Sequence, residues 1–315
     1  MKNIITLAVV SVVAIWLASG EQAVEGVGGE DNAAASTTCR LIGLGDIHGD
    51  LQNMMNILQA AKLVSNNPAS SEGDQWMWTG GCATLVQTGD VVDRGDHSIE
   101  AVLQLEQLSH QAKAVGGRII QLLGNHEVMS FAGDVRYANQ AEMKRTGGEA
   151  KFKSRFAPGG DMHDILSVKD IIATVNRTTF VHAGVLPSFA ALGVAKMNRI
   201  ARDQLATNEL FGGIFGDDGP IWTRKIIMEA MNGDCTEADL SLRLLGSARM
   251  VIGHTIQPTH KIASYCEGKV IAIDIANSRA IYGRNPGCVE FFADGSISAI
   301  YATPAGGAAA TPNQE

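Results

Sequence analysis

The chain has 315 residues, 45% of them hydrophobic, and a formal net charge of −8 at neutral pH. This length and apolar content are sufficient for one large α/β domain, and the sequence contains no internal repeat and no boundary of a second domain. The acidic balance and the absence of a basic run argue against nucleic acid as a partner.

The first residues have the pattern of a secretory signal. Lys2 supplies one positive charge, residues 4–17 form an apolar core, and Ala18 and Gly20 suit cleavage after Gly20. We therefore predict a signal peptide over residues 1–20 and a disordered linker over residues 21–38. The apolar core is shorter than the ~20 residues of a membrane span, so we expect no stable membrane insertion after cleavage. An uncleaved membrane anchor is the alternative. Both indicate the secretory route, whether periplasm, extracellular space or endomembrane lumen.

The first element of the domain is a predicted strand that ends in possible metal ligands. The mostly apolar residues 39–44 precede Asp46 and His48, and glycines flank this pair at positions 45 and 49. At the carboxyl end of a strand such a pair can direct two ligands into one pocket, while the glycines let the backbone bend around it. Apolar residues at helical spacing then predict a helix over residues 51–63, with Asp50 as its N-cap.

The same arrangement recurs at four further predicted strands. Each strand ends in a glycine close to an Asp, Asn or His. The strands and the residues that follow them are 83–88 before Gly89–Asp96, 119–123 before Gly124–Glu127, 179–181 before His182–Gly184, and 250–252 before Gly253–Thr255. A second helix is predicted over residues 98–114. Because active sites in open α/β sheets form outside the carboxyl ends of the strands, we expect these polar groups to meet in one place.

The remainder of the chain is less regular. Residues 128–168 are polar and interrupted by glycines, and we predict no regular structure there. Short strands separated by turn residues are predicted over 270–273, 279–282, 289–292 and 296–301. Residues 303–315, rich in Ala, Gly and Pro, are predicted to form a flexible tail. His97 and His110 are interpreted as surface histidines.

Five cysteines are scattered along the chain without the spacing of a metal site: Cys39, Cys82, Cys235, Cys266 and Cys288. An exported chain can form disulfides, and we favour Cys266 with Cys288 because both flank predicted strands. Buried, unpaired thiols are the alternative for all five. The odd number leaves at least one thiol free or paired between chains.

The series Gly-Asp-x-His-Gly, Gly-Asp-x-x-Asp-Arg-Gly, Gly-Asn-His-Glu, His-Ala-Gly and Gly-His-Thr resembles the metallophosphoesterases of the phosphoprotein phosphatase superfamily. Within it the chain is most similar to the Shewanella-like phosphatases, through Arg155–Gly160, Trp222–Arg224 and the segment from Gly253 to Asp274. The resemblance implies a four-layer α/β/β/α sandwich with a mixed central β-sandwich over residues 39–302. The last strands would complete the second sheet.

The resemblance also implies a centre of two divalent metal ions. Asp46 and His48 would bind the first metal and Asp90 would bridge both. Asn125, His182 and His254 would complete the second. A mixed nitrogen and oxygen shell without thiolate suits Mn, Fe or Zn, and the ligands alone do not decide among these metals.

In this family a hydroxide that bridges the two metals attacks phosphorus in line. His126 would protonate the leaving oxygen, and Asp93 would hold that imidazole. Arg94 and Arg224 would clamp the phosphate, with Arg199 and Arg202 as alternatives to Arg224. The cations of residues 144–155 would lie beside the active-site mouth, where they could hold an anionic substrate or form a solvated surface.

Three functions are compatible with this resemblance. The first is a phosphatase acting on phosphoprotein monoesters, with serine/threonine or tyrosine preference open. The second is a hydrolase of dinucleoside polyphosphates or another small phosphoester, because His182-Ala183-Gly184 is also found in diadenosine tetraphosphate hydrolases. The third is a membrane-tethered binding protein without turnover. The oligomeric state is not predictable from the sequence.

Overall fold

A computed structural model of the chain describes residues 39–67, 75–282 and 285–304. The predicted signal peptide and linker lie outside the described residues, as does the predicted tail from residue 305 onward. The strands are β1 (Leu41–Leu44), β2 (Val64–Asn67), β3 (Gln75–Trp78), β4 (Thr84–Gln87), β5 (Arg118–Gln121), β6 (Ile172–Val175), β7 (Thr178–Val181), β8 (Arg249–Ile252), β9 (Ala263–Tyr265), β10 (Val270–Ala272), β11 (Gly287–Phe291) and β12 (Ile297–Tyr301).

The helices fall between these strands. They are α1 (Leu51–Ala60), α2 (Ser98–Ala114), α3 (Asn125–Phe131), α4 (Gln140–Arg145), α5 (Glu149–Phe156), α6 (Asp161–Leu166), α7 (Pro187–Ala190), α8 (Val194–Ala206), α9 (Lys225–Met231) and α10 (Thr236–Leu245). The spacing of apolar residues predicted α1 and α2, and both form.

Two five-stranded sheets carry the fold. The first has the strand order β12-β11-β1-β4-β5, and the second has the order β6-β7-β8-β10-β9. Strands β1, β4 and β5 are parallel to one another, as are β7, β8 and β10, so each sheet has one edge where several carboxyl ends meet. Strands β2 and β3 form a separate antiparallel pair.

Alternating side chains of the short strands build two apolar layers. Leu41, Val86 and Val251 face a core between the two sheets, where the rings of Phe180 and Phe291 pack edge to face with centroids 5.5 Å apart. Their neighbours along the strands face the outer core, which the helices cover; these include Ile42, Leu44, Leu85, Met250 and Ile252. Helix α2 packs on β5, while α8 and α10 pack on β6 and β8. The result is the predicted α/β/β/α arrangement with a mixed central sandwich.

The N-terminus of α1 is held as the sequence predicted. The Asp50 carboxylate accepts a hydrogen bond from the Asn53 backbone N–H at 3.1 Å. It also accepts two bonds from the Arg279 guanidinium, at 2.8 and 2.9 Å. The cap therefore ties α1, which follows the first polar loop, to a segment more than two hundred residues later.

Three of the predicted elements are wrong. Residues 279–281 form a short 3-10 turn capped by Ser278 in place of a strand. Strands β11 and β12 belong to the first sheet and not the second, because β11 pairs antiparallel with β1. The region 128–168 forms helices α4, α5 and α6 and most of α3. These helices are only 6–8 residues long, too short for an apolar repeat to be recognised in the sequence.

The predicted disulfide is also wrong. Cys39 pairs with Cys82, and Cys235 pairs with Cys266. Cys288 is buried within β11 and has a free thiol, so one cysteine remains unpaired, as the odd number required. Two disulfides are typical of a protein from an oxidising, non-cytosolic compartment. Among the helices in the described part of the chain, none is long and apolar enough to cross a membrane.

Candidate metal centre and active site

The five polar loops predicted from the sequence meet at one end of the β-sandwich. Asp46, Asp90 and Asn125 follow β1, β4 and β5 of the first sheet, and His182 and His254 follow β7 and β8 of the second. Hydrogen bonds join the two groups, since the His254 backbone N–H donates to Asp46 at 3.1 Å. The site therefore lies where the carboxyl edges of two sheets converge, and not at the edge of one open sheet.

Asp90 lies between two sets of possible metal ligands. One set is His48, Asp90 and His126, the other is Asp90, His182 and His254, and within each set the nitrogen and oxygen donors lie within 4.8 Å of one another. The Asp90 Oδ2 atom is 3.6 Å from His48 Nε2 and 3.2 Å from His182 Nε2. Asp90 is thus a member of both groups, and a carboxylate in such a position could be shared by two ions.

Backbone carbonyls fix the tautomers of the three predicted ligand histidines. His48 donates Nδ1–H to Val92 O at 3.1 Å, and His182 donates Nδ1–H to Thr88 O at 3.0 Å, so both rings turn an unprotonated Nε2 toward Asp90. His254 instead donates Nε2–H to Trp222 O at 3.1 Å, which leaves Nδ1 as its free lone pair. Such outer partners orient the rings of metal-binding histidines.

Burial keeps two of these rings neutral. It lowers the pKa of His48 to about 3 and that of His254 to about 2. Only a neutral imidazole has the lone pair that a metal requires. Near neutral pH, both side chains are therefore in the neutral form that can coordinate a metal.

The arrangement of acceptors fits bound cations. The lone pair of His182 Nε2 faces Asn125 Oδ1 at 2.9 Å and Asp90 Oδ2 at 3.2 Å, so three electron-rich atoms converge. Nearby, Asp46 is buried, and the burial together with the charges of Asp274 and Asp90 raises its pKa. No Lys or Arg of the described residues forms an ion pair with Asp46 or Asp90. A pair of divalent ions would satisfy these groups.

Two glycines make this close approach possible. A Cβ atom at Gly124 would lie 2.2 Å from Asp90 Oδ1, and one at Gly253 would lie 2.2 Å from Asp46 Oδ1. Both contacts are far inside van der Waals distance. The glycines of the strand-end motifs are therefore required to admit the carboxylates.

His126 and Asp93 form a buried dyad beside Asp90. The His126 Nδ1 atom is 2.6 Å from Asp93 Oδ2. Burial opposes the charged imidazole, but the charges of Asp90 and Asp93 outweigh it and raise the pKa of His126. The pair can therefore hold a proton on the ring, which is the property of a general acid. His126 Nε2 is 3.9 Å from Asp90 Oδ2, so the structure also allows a role as a ligand.

The two arginines predicted to bind phosphate, Arg94 and Arg224, lie in different surroundings. The Arg94 guanidinium lies 4.0 Å from the centre of the Tyr137 ring. Arg224 donates from Nη1 to His254 O at 2.8 Å and to Thr255 Oγ1 at 2.7 Å, which brings it to the rim of the site. Of the alternatives, Arg202 pairs with Asp170, and Arg199 is exposed on α8. The structure thus brings Arg94 and Arg224, of the predicted arginines, to the metal ligands.

The cations of residues 144–155 are mostly occupied by neighbouring acids. Arg145 contacts Glu100, Lys153 pairs with Glu149, and Arg155 pairs with Asp161. This favours the interpretation of a solvated, ion-paired surface over that of a substrate-holding patch.

Sequence reasoning missed Glu127 as part of the site. This side chain is fully buried, and its carboxylate accepts backbone N–H bonds from Asp90, Val91 and Gly124 at 2.7–2.9 Å and a longer one from Val92 at 3.3 Å. Asp90 has the left-handed φ of 56°, which costs a residue with a side chain about 1–2 kcal/mol. Glu127 holds that strained loop in place. Its position directly after Asn125 and His126 was the signal that could have identified it.

Asp274 is a second neighbour of the centre. It follows β10 and is fully buried, and its Oδ1 accepts the Ala276 backbone N–H at 3.0 Å. Burial raises the pKa of Asp274 to about 6. Asp274 therefore stabilises the turn after β10, and its charge acts on Asp46.

Residues 39–233 match the calcineurin-like phosphoesterase family. This span is more than half of the chain, so the protein belongs to that family, and the predicted class of metallophosphoesterase is confirmed. The chain is accordingly a hydrolase that uses divalent metal. His254 lies beyond the matched span, although the fold brings it to the same centre.

Individual relatives agree with this assignment. An uncharacterised protein of Schizosaccharomyces pombe is 34% identical over 253 residues, covering 76% of this chain and 74% of its own length. Shewanella-like protein phosphatase 2 of Arabidopsis thaliana is 27% identical, covering 84% of this chain and 78% of its own. The solved structure of a cold-active protein-tyrosine phosphatase from a psychrophilic Shewanella species shares the fold, with a TM-score of 0.68, 24% identity, and coverage of 83% and 80%. The predicted similarity to Shewanella-like phosphatases is confirmed.

Proposed function

We propose that this protein is a metal-dependent phosphatase that removes phosphate from phosphoproteins. The observation that carries the proposal is that Asp90 belongs to two groups of possible metal ligands, one with His48 and one with His182 and His254, and that the His126–Asp93 dyad lies beside it. A phosphomonoester needs three things from such a site: charge neutralisation, an anchored phosphate and a proton for the leaving oxygen. The chain has residues for each.

We assign the ligands as the sequence predicted. Asp46, His48 and Asp90 would hold one divalent ion, and Asp90, Asn125, His182 and His254 would hold the other, with Mn, Fe or Zn as the metals. When bound, the two ions supply Lewis acidity that neutralises phosphate charge and lowers the pKa of water. The backbone bonds to His48, His182 and His254 keep the ligand nitrogens aimed at the centre.

The remaining residues act on the substrate directly. His126 donates a proton to the leaving oxygen from Nε2, because Nδ1 is engaged by Asp93. Arg94 and Arg224 bind phosphate oxygens, since a guanidinium can donate two parallel N–H bonds to such a group. Arg224 has one nitrogen committed to the His254 loop, so we assign it the weaker contact.

A phosphoprotein substrate is supported by the relatives that are named protein phosphatases. The dinucleoside polyphosphate alternative is not favoured by them. These names include a protein-tyrosine phosphatase, so the preferred side chain has to be measured.

The test is hydrolysis of phosphoserine, phosphothreonine and phosphotyrosine peptides and of diadenosine tetraphosphate, each with Mn and with chelator. We expect faster, metal-dependent cleavage of at least one peptide. Preference for the dinucleotide would replace the proposed substrate. Absence of turnover on all four substrates, by folded protein containing metal, would favour the binding protein without turnover.

We also propose that the protein works along the secretory route. The two disulfides and the apolar start of the sequence support this. Fractionation of cells expressing the chain with a C-terminal tag tests the proposal. Recovery of the tagged protein in the cytosol with reduced thiols would contradict it.

A further inference from the structure

Arg94 is held at the site without an acidic partner. It is exposed, and among residues 39–67, 75–282 and 285–304 it forms no ion pair. Most other arginines near the site are occupied: Arg136 by Asp134, Arg145 by Glu100 and Arg279 by Asp50. Within the described part of the chain, Arg94 is therefore not held in an ion pair with a carboxylate.

The aromatic ring of Tyr137 takes the place of an acid. The guanidinium carbon of Arg94 lies 4.0 Å from the ring centre, within the range of a cation–π contact. Such a contact restrains a guanidinium but uses none of its N–H donors. The donors of Arg94 thus remain available to an anion from outside.

The backbone of Arg94 is held by the same segment. Asp93 and Arg94 both have a φ of 70°, a left-handed conformation that needs support in residues with side chains. The Arg94 N–H donates to Tyr137 O at 2.8 Å. Asn139 Nδ2 donates to Arg94 O at 3.0 Å. The loop after α3 therefore fixes Arg94 at both its main chain and its side chain.

Tyr137 also contacts His126. The two ring centres are 5.2 Å apart with the planes tilted by 52°. On its other side His126 meets the edge of His48, with ring centres 4.8 Å apart. The Tyr137 ring thus lies between Arg94 and His126, and 37% of the residue is exposed.

We propose that Tyr137 is a positioning residue for the phosphate clamp: it aligns Arg94 through a neutral aromatic face and so leaves the positive charge of Arg94 for the substrate phosphate. The inference rests on the proposed function, because it assumes that Arg94 binds phosphate. An acid at the same position would align Arg94 equally well but would compete with the phosphate for its N–H groups. The aromatic character of Tyr137, and not its hydroxyl, is the property that matters.

The test uses purified protein loaded with Mn, para-nitrophenyl phosphate as substrate and inorganic phosphate as competitive inhibitor. We expect Tyr137→Phe to stay within about 2-fold of the unchanged protein, and Tyr137→Leu to raise KM and the inhibition constant for phosphate by about 2- to 30-fold. Tyr137→Glu should raise both more than Tyr137→Leu does. Tyr301→Leu is the matched control, because Tyr301 is 41% exposed and lies in β12.

A double variant separates positioning from a general loss of structure. In the Arg94→Ala background, Tyr137→Leu should change KM by less than about 2-fold, since the clamp is already absent. Effects that multiply in that background, or a Tyr137→Glu variant no worse than Tyr137→Leu, would overturn the inference. Unchanged protein that hydrolyses no phosphomonoester would instead overturn the proposed function and the inference with it.

Discussion

At the scale of single residues, the site depends on buried carboxylates that form no ion pair with a Lys or Arg of the described residues. Asp46 and Asp90 are almost fully buried and are surrounded by imidazoles and backbone N–H groups. Burying a carboxylate without a cation is costly, so bound metal would stabilise this arrangement. The residues that hold the metals, donate the proton and bind the phosphate should consequently respond differently to substitution.

Asp90→Asn should remove metal from both positions. The substitution keeps the shape of the side chain but removes the charge that both ligand sets share. Metal content measured by mass spectrometry should fall, and turnover should decrease by more than the about 10- to 100-fold typical of losing an outer partner. Full metal content with ordinary activity would contradict the bridging role.

His126→Ala should reduce turnover while metal stays bound. Loss of general-acid help costs about 10²–10⁴-fold in kcat. His110→Ala is the control, since His110 lies on α2 with 77% of its side chain exposed. If His126→Ala loses metal as Asp90→Asn does, His126 is a ligand and the proton donor must be sought elsewhere.

Glu127→Gln should destabilise the protein and weaken metal binding together. Four backbone N–H groups point at the carboxylate, whereas an amide offers one oxygen and turns an N–H₂ toward the others. We expect a loss of about 1–3 kcal/mol in the free energy of unfolding. Denaturant unfolding and metal titration measure the two effects. Ordinary stability with ordinary metal affinity would show that Glu127 does not hold the Asp90 loop.

At the scale of elements, short helices carry the site residues on their first turns. Asn125 and His126 lie in the first turn of α3, and Asp50, two residues after His48, caps α1. The packing of these helices on the sheet therefore determines where the side chains point. Helix α4 supports the same region, because its buried Glu142 accepts the backbone N–H of Ile99 in α2 at 2.9 Å.

Glu142 makes the stability of this helix contact depend on pH. Burial raises the pKa of Glu142 above its ordinary 4.5, against the bonds from Ile99 and Ser98, with Glu100 and Arg145 as the nearby charges. A raised carboxyl pKa means that the folded state binds the proton more tightly. The contribution of Glu142 to the free energy of unfolding is thus fully present below about pH 4.5 and is lost as the pH rises through the folded pKa. We therefore compare the free energy of unfolding of Glu142→Gln with that of the unchanged protein at two pH values. The difference should favour the variant more at about pH 8 than at about pH 4.5. An equal difference at both pH values, measured by denaturant unfolding, would contradict this assignment.

At the scale of the whole molecule, the site and the disulfides occupy opposite ends of the strands. Cys39 and Cys82 precede β1 and β4, and Cys266 precedes β10, so these cysteines lie at the amino ends. The metal ligands follow the carboxyl ends. The disulfides and the candidate metal ligands therefore lie at opposite ends of the β-sandwich.

Removing the Cys39–Cys82 disulfide should lower stability and leave the chemistry intact. The bridge closes a loop with a sequence separation of 43, for which about 2–4 kcal/mol is typical. The Cys39→Ala, Cys82→Ala double variant should show a lower Tm, with kcat per folded molecule unchanged. The unchanged protein assayed with reductant is the comparison, and a selective loss of kcat in the double variant would link this bridge to the site.

The sequence by itself determined the class of protein and most of the candidate centre. Motifs at strand ends are local, and a glycine beside an Asp or His at such a place follows from the space that a ligand loop needs. Helices α1, of 10 residues, and α2, of 17 residues, were likewise predictable, because each has enough turns to show a stripe of apolar residues.

The tertiary structure alone decided the pairings between distant segments. The sheet to which β11 belongs, the partners of Cys39 and Cys235, and the contact of Tyr137 with Arg94 all join residues whose separation leaves no local pattern. The short helices α4–α6 depend on packing, since a helix of two turns is unstable alone. The burial of Glu127 against the Asp90 loop was also decided by the tertiary structure. Glu127 is part of a sequence motif, but its role depends on four backbone N–H groups that only folding brings together.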